Sequence, residues 1–330
     1  MKKMKSLSTV LLLVCVMVFV CACGKSDAGS DTKTKEKGGK ETYVIGCSWM
    51  DLTTQYQATL KSYVDKYCKE NYADEVELVH MDGQSNSATQ VSQMETLVSQ
   101  GVDAILMVPY DRAGCAPGVD AAAEAGIPVI ELCQETNSSN RSSFVGSNHK
   151  ESGIQTMTRL AEEAKGKGKL VVLEGPTGQD CVIARGEGMQ EVLDQNPDIE
   201  VIATKTCDWD RAKAMSAVEN IIQSGLEFDI IFAQSDSMAM GALEALKGTQ
   251  YEGKVIVGGI DCIADALQAI KDGTLVCTSF QNAPQQAEDG LKVALSAAKG
   301  EKIEELYDIP FELVDSSNCD EEKYDVEYAE

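Results

Sequence analysis

At 330 residues the chain is long enough for two ordinary domains, and 43% hydrophobic with 25% charged residues is a globular composition that excludes disorder over most of its length. Acids outnumber bases 53 to 29, a formal charge of −24 that a phosphate backbone would repel, so nucleic acid is excluded as a partner.

The chain opens with Lys2, Lys3 and Lys5 before an apolar run from Val10 to Ala22, ending Val20-Cys21-Ala22-Cys23. The run is too short to span a bilayer as a helix and reads as a secretory signal over residues 1–22. Its end resembles a bacterial lipobox, although Cys21 replaces the small or β-branched residue usual there. The resemblance implies cleavage before Cys23, a diacylglycerol on its sulfur, and a body held by this lipid at the extracytoplasmic face of a cell membrane. Residues 24–42 contain no large apolar side chain, so Cys23 with this stretch (23–42) is expected to be a flexible tether. Of 12 cysteines, nine remain once Cys15, Cys21 and Cys23 are set aside. An odd number cannot all pair, C-x-x-C spacing is absent, and six of the nine sit in or beside apolar runs, so buried thiols are expected rather than disulfides or a zinc site.

Short β-rich runs follow at 43–48, 76–81, 104–109, 128–133, 169–175, 199–205, 229–235, 254–261 and 274–280. Amphipathic stretches alternate with them near 54–72, 87–100, 116–125, 151–165, 182–195, 211–224, 237–247, 263–272 and 284–299. Nearly continuous apolar runs of four to eight residues mark strands covered on both faces, and strand-helix alternation predicts an α/β fold with doubly wound parallel sheets. The break between 134 and 168 divides the units into two Rossmann-like lobes, with the boundary near Gly146. The tail, 315–330, is acidic and lacks apolar periodicity, so it is expected to be a solvated extension.

In open parallel sheets, ligands bind beyond the carboxyl ends of the strands. Those ends carry Ser48 to Asp51, Cys133-Gln134, Asp208-Trp209, Ser235-Asp236, Asp261 and Gln281, with Arg185 soon after the 169–175 strand. Hydroxyls, amides, carboxylates and an indole suit a neutral polyhydroxylated ligand. Phosphate-binding glycine loops, a nucleophile elbow and a zincin helix are missing from the sequence, so no cofactor, metal or catalytic residue is expected. His80 and His149 are expected to be surface or internally satisfied polar groups.

The strings ARGEGMQEVL (184–193), CDWDRAKAM (207–215), IIFAQSDSMAMGALEAL (230–246), VIVGGID (255–261) and DGTLVCTSFQNAP (272–284) together resemble the ribose- and galactose-binding proteins that feed ABC importers. The likeness runs from about Tyr43 to Val314. It implies a type I periplasmic binding protein fold with a three-strand hinge: lobe 1 from 43–146 plus 282–309, lobe 2 from 147–281 plus 310–314. It assigns Arg185 to the sugar-binding arginine, Trp209 to an aromatic against the sugar ring, Asp261 to a hydroxyl-accepting carboxylate and Gln281 to a hinge amide. The chain departs from the ribose binders at Cys133-Gln134, where they carry Asp-Arg, and at Ser235, where they carry Asn. Tyr56 stands near their paired phenylalanines, and Ser48, Asp51 and Gln134 complete the candidate contacts. The implied function is a monomeric, non-enzymatic receptor that delivers a monosaccharide or polyol to an ABC permease. The alternatives are a non-sugar ligand such as a signalling furanose or a nucleoside, and a surface carbohydrate-active enzyme.

Overall fold

The computed structural model describes residues 42–327, all within one unit that begins at Lys40. The signal, Cys23, the tether before Thr42 and the last three tail residues lie outside the described residues. The first part of the chain forms β1 (Tyr43–Trp49), α1 (Gln55–Asn71), β2 (Val76–Asp82), α2 (Ser87–Gln100), β3 (Ala104–Met107), α3 (Ala116–Glu124), β4 (Val129–Leu132) and β5 (Ser143–Gly146). There follow α4 (His149–Glu163), β6 (Lys167–Glu174), α5 (Asp180–Gln195), β7 (Asp198–Thr206), α6 (Arg211–Gln223), β8 (Ile230–Ala233), α7 (Asp236–Leu246), β9 (Ile256–Gly258), α8 (Ala264–Lys271) and β10 (Cys277–Phe280). The last elements are α9 (Ala283–Ala298), β11 (Leu306–Asp308), β12 (Glu312–Asp315) and a 3-10 turn at Glu322–Tyr324.

Two six-stranded sheets result, with orders β11-β5-β4-β3-β1-β2 and β12-β10-β9-β8-β6-β7. Every pairing is parallel except that of β12 with β10. All four residues of β3, β4, β8 and β10 are buried, as the continuous apolar runs require of strands covered on both faces. On the first sheet, Leu60 and Val64 of α1 share a core with Leu291 and Leu295 of α9, while Met94 and Leu97 of α2 share another with Val119 of α3. On the second, Met157 and Leu160 of α4 pack with Met189 and Val192 of α5, and Val218 of α6 with Met238 and Ala242 of α7. Helix starts at the strand ends are capped by side chains: Asn148 accepts from Lys150 N, Asp210 from Lys213 N and Ser235 from Met238 N.

The chain passes between the sheets three times, from β5 into α4, from β10 into α9 and from β11 into β12. Sequence periodicity did not reveal β5, β11 or β12. Each has three or four residues, too short for a period to register, and each pairs at least in part with a strand distant in sequence. Phe144 at β5, for example, pairs with Leu306 at β11.

The expected solvated tail is corrected by the structure. Cys319, Tyr324 and Val326 are buried in the core of the second sheet, and Tyr324 meets Phe280 edge to face at 5.2 Å. Its hydroxyl donates to Glu312 at 3.2 Å, and Glu327 N donates to the Tyr63 hydroxyl of α1 at 3.2 Å. Three apolar groups among charged neighbours are enough to anchor a segment when they meet an open core edge, although they form no periodic pattern.

Candidate functional site

A narrow cleft lies between the carboxyl ends of the two sheets, lined by residues of both lobes. Three of its lining residues, Cys133 after β4, Trp209 after β7 and Asp261 after β9, have positive φ values of 66°, 61° and 122°. Non-glycine residues are strained in this region, and such strain gathers where side chains must be aimed at a ligand.

Arg185, on the first turns of α5, is the hub. Its side chain is 4% exposed and donates through Nη1 to Gln234 O and through Nη2 to Gln281 Oε1 at 2.9 Å. Nη2 also stands 3.7 Å from Asp261 Oδ1. The guanidinium lies between two aromatic faces, 5.8 Å from the Trp209 ring and 6.0 Å from Phe311. Close helix packing sets its position, since a Cβ on Gly153 of α4 would overlap the Arg185 carbonyl. Burial pushes the Asp261 carboxyl above the usual carboxylate range; Arg185 pulls it down and neighbouring Asp236 adds to the rise. Asp236 itself is held off the cleft by Thr278 Oγ1 at 2.8 Å and Ile263 N at 3.0 Å.

Trp209 donates through Nε1 to Gln179 Oε1 at 2.9 Å, which fixes the indole plane along the cleft wall. A Cβ on Gly175 would overlap the indole, so only glycine admits the ring there. Gln281 links the lobes, accepting from Arg185 and donating from Nε2 to Cys133 Sγ at 3.0 Å. Gln134 donates to Met50 Sδ at 3.2 Å, and the Tyr56 hydroxyl donates to Gln286 Oε1 at 3.0 Å. Ser235 lines the cleft while capping α7. Arg185, Trp209, Asp261, Gln281, Ser235, Gln134 and Tyr56 therefore come together around one cavity.

Ser48 and Asp51 do not line it, a correction with local causes. Strand β1 continues through Trp49, so Ser48 stays inside the sheet, accepting from Gln90 Nε2 at 3.2 Å. Asp51 turns back on its own loop, accepting from Thr53 N at 2.9 Å and Thr54 N at 2.8 Å. The histidines divide. His80 is satisfied, accepting from Trp49 Nε1 at 3.0 Å and pairing with Asp65 at 2.8 Å. His149 is neither at the surface nor satisfied: it is 3% exposed, lines the cleft and has no partner at Nδ1. The expectation of a surface or internally satisfied group fails at His149 because β5, the short strand that places it, lies in the 134–168 gap and shows no periodicity. Cys133 and Cys181 also line the cleft, and burial pushes the Cys181 thiol up to about 12 and Cys133 higher still. Such thiols stay protonated and are not nucleophiles. All nine described cysteines are buried free thiols.

Four buried polar atoms of cleft residues have no partner among the described residues: Gln57 Oε1, Gln134 Oε1, His149 Nδ1 and Arg185 Nε. Leaving such atoms unpaired costs about 1–3 kcal/mol each, so their grouping marks places for a ligand's polar groups. The lobes also meet beside the cleft, where Arg112 N donates to Gly178 O at 3.2 Å and Arg112 Nη1 lies 3.3 Å from Asp180 Oδ1.

The model of the periplasmic binding protein domain matches residues 45–302. A xylitol-binding protein from Mycolicibacterium smegmatis is 36% identical over 88% of this chain and 80% of its own length. The ribose import binding protein of Bacillus subtilis is 28% identical over 94% of this chain and 98% of its own. Among solved structures, an ABC transporter solute-binding protein from Bacillus halodurans with bound myo-inositol superposes with a TM-score of 0.81 at 34% identity, covering 86% of this chain and 97% of that one.

Proposed function

Because the chain belongs to the periplasmic binding protein domain family, we propose that it captures a monosaccharide or polyol between its two lobes and presents it to an ABC import permease. The observation that carries this reading is the mixture of unpartnered acceptors and one unpartnered donor around a buried Arg185, beside the indole of Trp209. A hydroxyl donates and accepts at once, and a ring's C–H face packs on an indole. The Nη groups of Arg185 already face Asp261 and two carbonyl-type oxygens, which leaves Nε as the donor turned to a ligand. The xylitol-binding relative and the myo-inositol-bound neighbour point to the same ligand class. Like those relatives, the chain is a binding protein rather than an enzyme.

In this reading Arg185, Trp209, Asp261, Gln281, Ser235, Gln134 and Tyr56 contact the ligand. Lobe 1 (43–146 plus 282–309) rotates against lobe 2 (147–281 plus 310–314) about the three crossings, and the monomer is the working unit. A calorimetric and thermal-shift panel of pentoses, hexoses, pentitols and inositols tests it. One member should raise stability by about 2.7 kcal/mol at a hundred times its dissociation constant. The same addition should shrink the radius of gyration in small-angle scattering. A panel without a binder would sink the reading.

The lipobox at Cys23 supports anchoring of this receptor to the outer face of the cell membrane. Cys23→Ser should abolish labelling by a radioactive fatty acid and leave ligand affinity unchanged. Labelling that persists in the variant would exclude this anchor.

A further inference from the structure

His149 is the first residue of α4, immediately past the crossing from β5, and its imidazole is buried against the cleft. Nε2 lies 2.7 Å from the carbonyl oxygen of Cys133. A carbonyl only accepts, so Nε2 carries the ring proton. Burial, reinforced by the nearby Arg185 charge, depresses the imidazole to about 3, which leaves it neutral and Nδ1 a bare lone pair. Among the described residues no protein group answers that lone pair. Phe311, 5.6 Å away centroid to centroid, offers no donor, and the Nη groups of Arg185 are committed to Gln234, Gln281 and Asp261.

We propose that His149 is a specificity-determining contact whose Nδ1 accepts a hydrogen bond from one hydroxyl of the bound sugar or polyol. This rests on the sugar-or-polyol reading above and adds a residue and a rule to it. The site requires a hydroxyl at one defined ligand position, because an analogue lacking it leaves a buried acceptor unpaired. The contact sits at a pivot: Cys133, which holds His149 by its carbonyl, also accepts from Gln281, the residue just past β10 at the second crossing. A hydroxyl read by His149 is therefore read by the strands that join the lobes.

The test pairs protein variants with ligand analogues. Myo-inositol, xylitol and D-ribose are titrated into the natural protein by calorimetry, and the tightest binder is carried forward with its complete set of monodeoxy derivatives. Removal of one hydroxyl should weaken binding about 10- to 100-fold in the natural protein through loss of this bond. In His149→Gln, whose longer amide reaches Cys133 O but offers no acceptor at the Nδ1 position, that same deoxygenation should cost nothing further, while the penalties at other positions persist. His149→Asn, whose amide oxygen overlies the Nδ1 position, should keep the penalty. A discrimination pattern identical in the natural protein and His149→Gln would overturn the proposal and leave the ligand class standing. If the natural protein binds none of these probes and no other member of the pentose, hexose, pentitol and inositol panel, the sugar-or-polyol reading falls, and this inference with it.

Discussion

Arg185→Ala is expected to reduce ligand affinity about 10- to 150-fold, since its unpartnered Nε is the donor left for a ligand and a hydrogen bond from a charged group contributes ~1.5–3 kcal/mol. It should also reduce stability. Gln234 O and Gln281 Oε1 would each lose a buried donor, about 1–3 kcal/mol apiece, and Asp261 would lose its neighbouring positive charge. Asp261 gives this loss a pH signature. Burial already raises its carboxyl and Arg185 restrains the rise, so the variant's carboxyl goes higher still. A carboxyl raised by folding holds a proton that the unfolded chain releases, so its contribution falls as pH climbs toward the folded pKa. In the variant that fall continues to higher pH, and the stability deficit should be larger at about pH 9 than at about pH 6. Arg185→Lys keeps a cation near Asp261 but loses the planar fork, so it should recover more stability than affinity. Urea denaturation and calorimetry on the two variants separate these effects. Natural affinity in Arg185→Ala would show that the hub does not touch ligand.

Ending the chain after Asp315 is expected to destabilise the protein by about 3–5 kcal/mol, the cost of emptying a core site filled by a large aromatic. The removed segment carries Tyr324, 2% exposed and packed edge to face on Phe280, together with buried Cys319 and Val326. Tyr324→Ala should reproduce most of the loss, whereas Tyr324→Phe should forfeit only the hydroxyl's bonds to Glu312 and Asn318, about 1 kcal/mol. Phe280 immediately precedes Gln281, so truncation should also weaken ligand binding modestly by loosening the second crossing. An unchanged urea midpoint in the truncated protein would mean that the tail is an extension after all.

What the sequence determined by itself is whatever depends on local order. Continuous apolar runs such as Ala104–Met107 and Ile230–Ala233 announce strands buried on both faces, and the amphipathic stretches between them announce covering helices. Together they imply the α/β layering. Trp209, Asp261 and Gln281 were legible because parallel sheets bring strand ends to one edge, where polar residues after an apolar run stand out, while Arg185, inside α5, was legible through the ARGEGMQEVL resemblance. Tertiary structure decided what depends on partners far along the chain. Ser48 points to Gln90 and away from the cleft because the ladder with β2 carries β1 one residue further than its apolar run suggests. His149 becomes a buried, half-satisfied imidazole only because Cys133, 16 residues earlier, lends a carbonyl and Arg185 of the next helix lends its charge. The tail's three apolar groups become core only where Phe280 and β12 present an edge to them. Periodicity records which face of an element is apolar; whether a lone polar or apolar side chain is buried depends on the free energy of meeting one particular partner, and that meeting exists only in the folded molecule.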